Sequence, residues 1–319
     1  MDMSWGLFLG MIIASAAPLV VAGIGETLTE RAGVINLSLD GTILLGAMVG
    51  FATSYATNST FAGVLAAGAS GTLVAAILGL LCLKWSAPQV AVGFVLTLLC
   101  RDLAYFLGNP FARIRGPQLT TMSIPFLSDI DFLGTALFNH NILTYLSIVL
   151  IPLAWMHLYL TRSGLILRAA GENPEACRAR GYMVMRIRFV YLILGGFLAG
   201  VAGAMFSLGI KPGWGRPQGA EGMGWIVLAL VIFGGWNPVR VSAGAYIFAS
   251  LQAMSNIVQN IWIGIPAQLL QVAPFPLMIL TLVLINTSEK SYQPQSLTRF
   301  LALLKARPPA ALGKDFSES

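Results

Sequence analysis

A chain of 319 residues that is 56% hydrophobic and only 10% charged, with a mean hydropathy of +0.77, lies far from soluble globular usage, in which about a quarter of residues are charged. This composition excludes a water-soluble fold. Continuous apolar runs of about 18 to 23 residues, enough to cross a hydrocarbon core of roughly 30 Å as a helix, also exclude a β-barrel with its short alternating strands.

Taken in chain order, the apolar runs predict helices near 5–25, 33–53, 61–83, 89–107, 142–160, 189–209, 224–236, 241–257 and 268–286. The predicted fold class is all-α: a polytopic transmembrane helical bundle of about nine spans, with one membrane domain over residues 1–288. Met1-Asp2-Met3 offers no basic n-region, so Ala14-Ser15-Ala16 is read as part of a retained first helix and not as a signal-peptidase site. The seventh run is short for a full span at about 1.5 Å per residue and is expected to be a half-helix running through Gly234-Gly235 and stopping near Pro238. The net charge of +6 reads as cytoplasmic loops and not as a nucleic-acid surface. An outside N-terminus puts fourteen of the nineteen cations on the cytoplasmic side together with the C-terminus, as the positive-inside rule requires. Only 109–141 outside and 161–188 inside are long enough to hold structure, so no soluble catalytic domain fits. The tail 289–319 mixes Pro, Ser, Gln and scattered charge and is expected to be disordered or a short surface helix.

Several clusters of residues carry chemical information. In Glu30-Arg31-Ala32-Gly33-Val34-Ile35-Asn36-Leu37-Ser38-Leu39-Asp40-Gly41, polar atoms recur at alternate positions of an apolar run. Asn36, Ser38 and Asp40 therefore either line a polar pathway or hydrogen-bond to a neighbouring helix, since such groups are costly in a membrane otherwise. At helical spacing Asn36 and Asp40 share one face, with Gly33 and Gly41 permitting a break or close packing. Arg101 and Asp102 lie inside the fourth run, about 100° apart on a helix, and each is expected to pair with another helix, the alternative being contact with substrate.

The loop 161–188 holds a capped two-turn helix: Asn173 can cap it, Pro174 suits its first position, Glu175 complements its positive end, Arg178 and Arg180 its negative end, and Gly181 its stop. A helix this short is marginal alone in water, so it must be held against its own spans or against another protein. Phe233-Gly234-Gly235-Trp236-Asn237-Pro238 is read as a helix-ending turn at the inner face, the alternative being unwound backbone beside a cavity. Gln252, Asn256, Gln259 and Asn260 form a polar stripe that lines an entrance or packs at a subunit seam. Cys82, Cys100 and Cys177 contain no CxxC pair, and His140 and His157 stand apart from other ligand types, so no metal site is expected. The sequence has no GxxxxGK[ST] motif, so any ATP must be used by another chain.

Residues 30–47, 168–181 and 233–238 together resemble permease subunits of ATP-binding-cassette (ABC) importers, in the branch that carries nucleosides, simple sugars and branched-chain amino acids, and most closely the nucleoside and simple-sugar group. The resemblance covers roughly residues 15–285, and Ser38 and Asp40 depart from it where Gly and Glu are expected. It implies that Gly171, Glu172, Asn173, Pro174, Glu175, Ala176 and Gly181 form the coupling contact with an ATPase subunit. Asn36, Ser38, Asp40, Gln252 and Asn256 become candidates for the translocation pathway. Implied partners are ATPase subunits, a second permease chain that is identical or different, an extracytoplasmic solute-binding protein and the lipid of a bacterial inner membrane. Neither a cofactor in this chain nor nucleic acid is expected, and ATP is used by the partner. The activity implied is transport, not covalent catalysis. The alternatives are a branched-chain amino acid permease and an ion-coupled secondary transporter using Asp40 and Asp102.

Overall fold

Runs of Leu, Ala, Gly and Val with few charges form helices here because, away from water, a helix satisfies every backbone N–H and C=O within one segment. The computed structural model describes residues 5–125, 127–128, 130–261, 276 and 308–314. Its first four helices are α1 (Trp5–Arg31), α2 (Leu39–Thr57), α3 (Thr60–Gly79), prolonged by a π turn over Leu80–Lys84, and α4 (Gln89–Gly108), prolonged by a 3-10 turn over Asn109–Phe111. A hairpin follows, in which β1 (Thr121–Ser123) pairs antiparallel with β2 (Asn139–Asn141) around α5 (Asp131–Leu137), with Met122 opposite His140. Then come α6 (Ile142–Leu160), α7 (Arg162–Glu172), α8 (Pro174–Ala179), α9 (Val184–Met205) with a π turn over Phe206–Ile210, α10 (Met223–Phe233) and α11 (Pro238–Ile261).

Among the described residues six helices are long and apolar enough to cross a membrane: Trp5–Arg31, Leu39–Thr57, Thr60–Lys84, Gln89–Phe111, Ile142–Leu160 and Val184–Ile210. The predicted count of nine is thus not reached within them. The seventh prediction corresponds to the eleven-residue α10, the eighth to α11, and the ninth, 268–286, lies outside the described residues apart from position 276. α10 ends at Phe233, because Gly235 and Trp236 adopt left-handed conformations, at φ 65° and 54°, and form the helix-ending turn.

The centre of the bundle is α9, which packs against α1, α2 and α3. Small residues set how closely these helices approach: a Cβ built on Gly46 would lie 2.6 Å from the Gly200 carbonyl oxygen, and one on Gly71 would lie 2.0 Å from that of Gly196. Leu39, Ile43, Leu44, Leu78 and Leu192 fill the rest of this core. Apolar side chains such as Leu73, Val149 and Leu153 stay on the outside of α3 and α6, as suits helices that meet lipid.

Candidate functional site

α1 does not stop where its apolar run ends. It continues through Glu26 and Glu30, and both carboxylates are buried. Their donors come from distant positions: Asn36 Nδ2 donates to Glu26 Oε2 at 3.4 Å, and Trp236 Nε1 donates to Glu30 Oε2. Gly33, at φ 95°, then turns the chain, and Asn36 Oδ1 accepts from the Ser38 amide at 3.2 Å and from its hydroxyl at 2.6 Å. This local turn holds Asn36 ahead of α2 instead of inside it.

The expectation that Asn36 and Asp40 share a helical face therefore fails. Asn36 bonds back to α1, whereas Asp40, in the first turn of α2, accepts the Gly224 amide of α10 on Oδ1 at 2.9 Å. Gly224 can come so near only because it lacks a side chain, since a Cβ there would lie 2.3 Å from Asp40 Cα. Asn36 and Asp40 are thus bonded to neighbouring elements, and Ser38, fully buried, is bonded to Asn36.

At the same end of the molecule Arg31 ties three elements together. Its Nε donates to the Trp236 carbonyl at 3.0 Å, Nη2 donates to that of Gly235 at 3.3 Å, and Nη1 lies 3.7 Å from Glu172 Oε1. Glu172 closes α7, which starts on Thr161, whose hydroxyl oxygen accepts the Gly164 amide at 3.0 Å. α8 starts on Asn173, whose Oδ1 accepts the Ala176 amide at 3.0 Å, and the chain leaves it through Gly181 at φ 85°. The one buried side chain of α8 is Cys177, packed with Ala170 and Val184, and burial pushes its thiol above the usual range. Glu175, Ala176, Arg178 and Ala179 face outward. Gly171 abuts α1, where a Cβ would lie 2.1 Å from the Arg31 carbonyl oxygen.

Residues 308–314, part of the stretch whose composition suggests a disordered tail, are folded onto this junction. The Ala311 amide donates to the Gly171 carbonyl at 2.9 Å and the Gly313 amide to that of Gly33 at 3.0 Å. Ala310 donates to Glu172 Oε2 at 3.2 Å, and Arg188 Nη1 donates to the Lys314 carbonyl at 3.1 Å. The sequence gives no local signal of this docking, because its acceptors are mostly backbone carbonyls far away along the chain.

Beyond the other ends of α4 and α9, Arg113, Arg115, Lys211 and Arg216 surround an open cavity of about 340 Å³. Glu221 sits beside it. Burial pushes its carboxyl up, but donation from Tyr105 Oη and from the amides of Gln218 at 2.7 Å and Gly219 at 2.6 Å outweighs burial and holds it below the usual value. Gln252 is half-buried on α11, which packs against α1, α6 and α10. The side chains of Asn256, Gln259 and Asn260 lie outside the described residues. Arg101 and Asp102, expected to find partners on other helices, approach each other instead, with Nε 3.6 Å from Oδ1.

A family profile described as the permease component of branched-chain amino acid transport systems matches residues 8–285. The chain belongs to this family. The permease is similar to TsgC13 of Haloferax volcanii, an ABC transporter permease protein provisionally named for glucose, with 37% identity over 77% of this chain and 76% of the relative. It is also similar to the nucleoside ABC transporter permease protein NupC of Lactococcus lactis, with 32% identity over 86% of this chain and 90% of the relative. The guanosine ABC transporter permease protein NupQ of Bacillus subtilis is 29% identical over 84% of this chain and 88% of its own. No solved structure matches the permease. It is a multi-pass membrane protein and a component of a transport system, not an enzyme.

Proposed function

We propose that this permease is the membrane-spanning subunit of an ATP-driven importer for nucleosides or simple sugars, working with ATPase subunits beneath it, a second permease chain beside it and a solute-binding protein outside. The observation that carries this reading is the α7–α8 elbow. A short capped helix is seated by Cys177 and otherwise faces outward, while its root, Gly171 and Glu172, is joined to Arg31 and so to the break between α1 and α2. A push on Glu175 and Ala176 by an ATPase would reach Asn36, Ser38 and Asp40 through that junction, with Gln252 and Asn256 placed on the outer part of α11. In this arrangement the N-terminus is outside, the elbow is cytoplasmic, and ATP is bound and hydrolysed by the partner, so this chain carries no cofactor.

The relatives named for glucose, nucleosides and guanosine favour those solutes. The family description supports branched-chain amino acids as the second reading. Affinity purification of the permease from its native membrane in mild detergent, followed by mass spectrometry, tests the assembly, and recovery of an ATPase and a binding protein is expected. Repeated recovery of the chain alone, with uptake that ignores ATP depletion but collapses with an ion gradient, would replace this reading with a secondary transporter. Glu175→Arg is expected to leave membrane insertion intact and to abolish ATP-driven uptake, because it reverses charge at the proposed contact.

A further inference from the structure

α4 carries an ion pair where a membrane helix facing lipid does not tolerate one. Arg101 lies twelve residues from one end of the span Gln89–Phe111 and ten from the other, about 18 Å and 15 Å along the axis at about 1.5 Å per residue, so the pair sits near mid-membrane. Arg101 and Asp102 are 3.6 Å apart, and their side chains are 46% and 71% exposed on the chain. Charged side chains at this depth face protein or a water-filled cavity, so this side of α4 does not meet lipid.

The neighbourhood favours water. Phe94, Arg101 and Tyr105 recur at i, i+7 and i+11 on one face of α4. The Phe94 ring stands 6.3 Å from that of Trp225 at the start of α10, and both rings are partly uncovered. About three turns farther along α4, Tyr105 donates to Glu221, and the Arg216 guanidinium lies 4.1 Å over the Tyr105 ring. Asp40, at the head of α10, is within electrostatic reach of both Arg101 and Glu221. This face therefore presents aromatic surfaces beside hydrogen-bonding groups of both signs. A tightly packed seam would leave such a mixture poorly matched, whereas the same mixture suits a solute with a flat or ring-shaped apolar face and several hydroxyls.

We propose that this face of α4, with the start of α10, is the wetted wall of the solute pathway, where Phe94 and Trp225 cover the ring of a neutral polyhydroxylated solute while Arg101, Asp102 and Glu221 bond its hydroxyls. The proposal rests on the importer reading and names the path and the chemistry within it. The holo-transporter, reconstituted in proteoliposomes with its ATPase and binding protein, tests it through cysteines placed one at a time by Leu98→Cys, Asp102→Cys and, on the outside of α3, Leu73→Cys. Cys82, Cys100 and Cys177 are buried, which keeps background labelling low. A charged, membrane-impermeant thiol reagent should label positions 98 and 102 at least about tenfold faster than position 73, because the reactive thiolate needs water, and guanosine or glucose should slow that labelling.

Labelling at 98 and 102 no faster than at 73 overturns the proposal, and so does a spontaneous disulfide between two copies at position 102 without reagent access, which marks a dry seam. Asp102→Asn and Trp225→Leu are further expected to raise the KM for labelled guanosine or glucose with ATP hydrolysis preserved, and an unchanged KM counts against the assigned side chains. Wild-type vesicles that take up neither probe overturn the solute class of the importer reading, and the labelling ratio still decides whether the wall is wet.

Discussion

Asp40→Ala removes the acceptor of the Gly224 amide and leaves that N–H buried, because the bond is 2.9 Å long and Asp40 is 6% exposed. The residue preceding α10 is Gly222, which has no side chain to offer a cap, so the acceptor is supplied by α2. An orphaned buried donor costs about 1–3 kcal/mol, and loss of a helix cap costs about 1 kcal/mol; here these describe one and the same loss. We therefore predict that Asp40→Ala destabilises the permease by about 2 kcal/mol. Asp40→Asn, which keeps a carbonyl oxygen in place, should cost less than about 1 kcal/mol. Scanning fluorimetry of the detergent-solubilised protein should rank the unfolding midpoints wild type, then Asn, then Ala. Unchanged midpoints in both variants combined with lost uptake would refute the reasoning, since Asp40 would then touch solute instead of holding α10.

Three further predictions concern other parts of the molecule. The Glu221 carboxyl is held below its ordinary value of 4.5, so its stabilising contribution is complete above that pH and is lost as pH falls through the lower folded-state value. Hydrogen exchange across 211–221 should accelerate below about pH 4.5 in the wild type, and Glu221→Gln should lack that acid step. Gly200→Ala puts a Cβ 2.0 Å from the Ala67 carbonyl oxygen and should force α3 from α9. Its cost should be about 1–3 kcal/mol, whereas Gly215→Ala, with nothing within 4 Å, should stay within about 0.5 kcal/mol of wild type. Gly313→Val combines a φ of 69° with a Cβ 2.5 Å from Ile35 Cδ1 and should release residues 308–314, read as faster amide exchange at Ala311; unchanged protection there would mean the segment is held by other bonds.

Much of the membrane architecture was legible in the sequence because burial in lipid demands long apolar runs, and α8 was legible because capping acts locally, from Asn173 to an amide three residues on. The start of α2 was not. Alternating polar residues imitate a helical face, but the Asn36 side chain satisfies the Ser38 amide and competes with the helix until residue 39. Glu26 and Glu30 read as loop residues because their donors, Asn36 and Trp236, lie beyond a break in the chain or some two hundred residues away. A bridge between Arg101 and Asp102 is not automatic from the sequence, since adjacent helical residues point apart, yet long side chains on an uncovered surface can bend toward each other. The sequence names the α8 residues and the polar group at 36–40 only as candidates, and it does not reveal the path of contacts through Gly171, Glu172 and Arg31 that joins α7 to the end of α1.

That path includes residues made far apart in time. Ala310 bonds Glu172 across 138 positions and Lys314 bonds Arg188 across 126. At about 5–20 residues per second of synthesis, the carbonyls of Gly33 and Gly171 wait at least about 7 s for amides that have not yet left the ribosome. A nascent permease therefore inserts with this seam still open. A premature stop before residue 308 would leave that seam permanently unsealed, offering membrane quality control a direct mark of an unfinished chain.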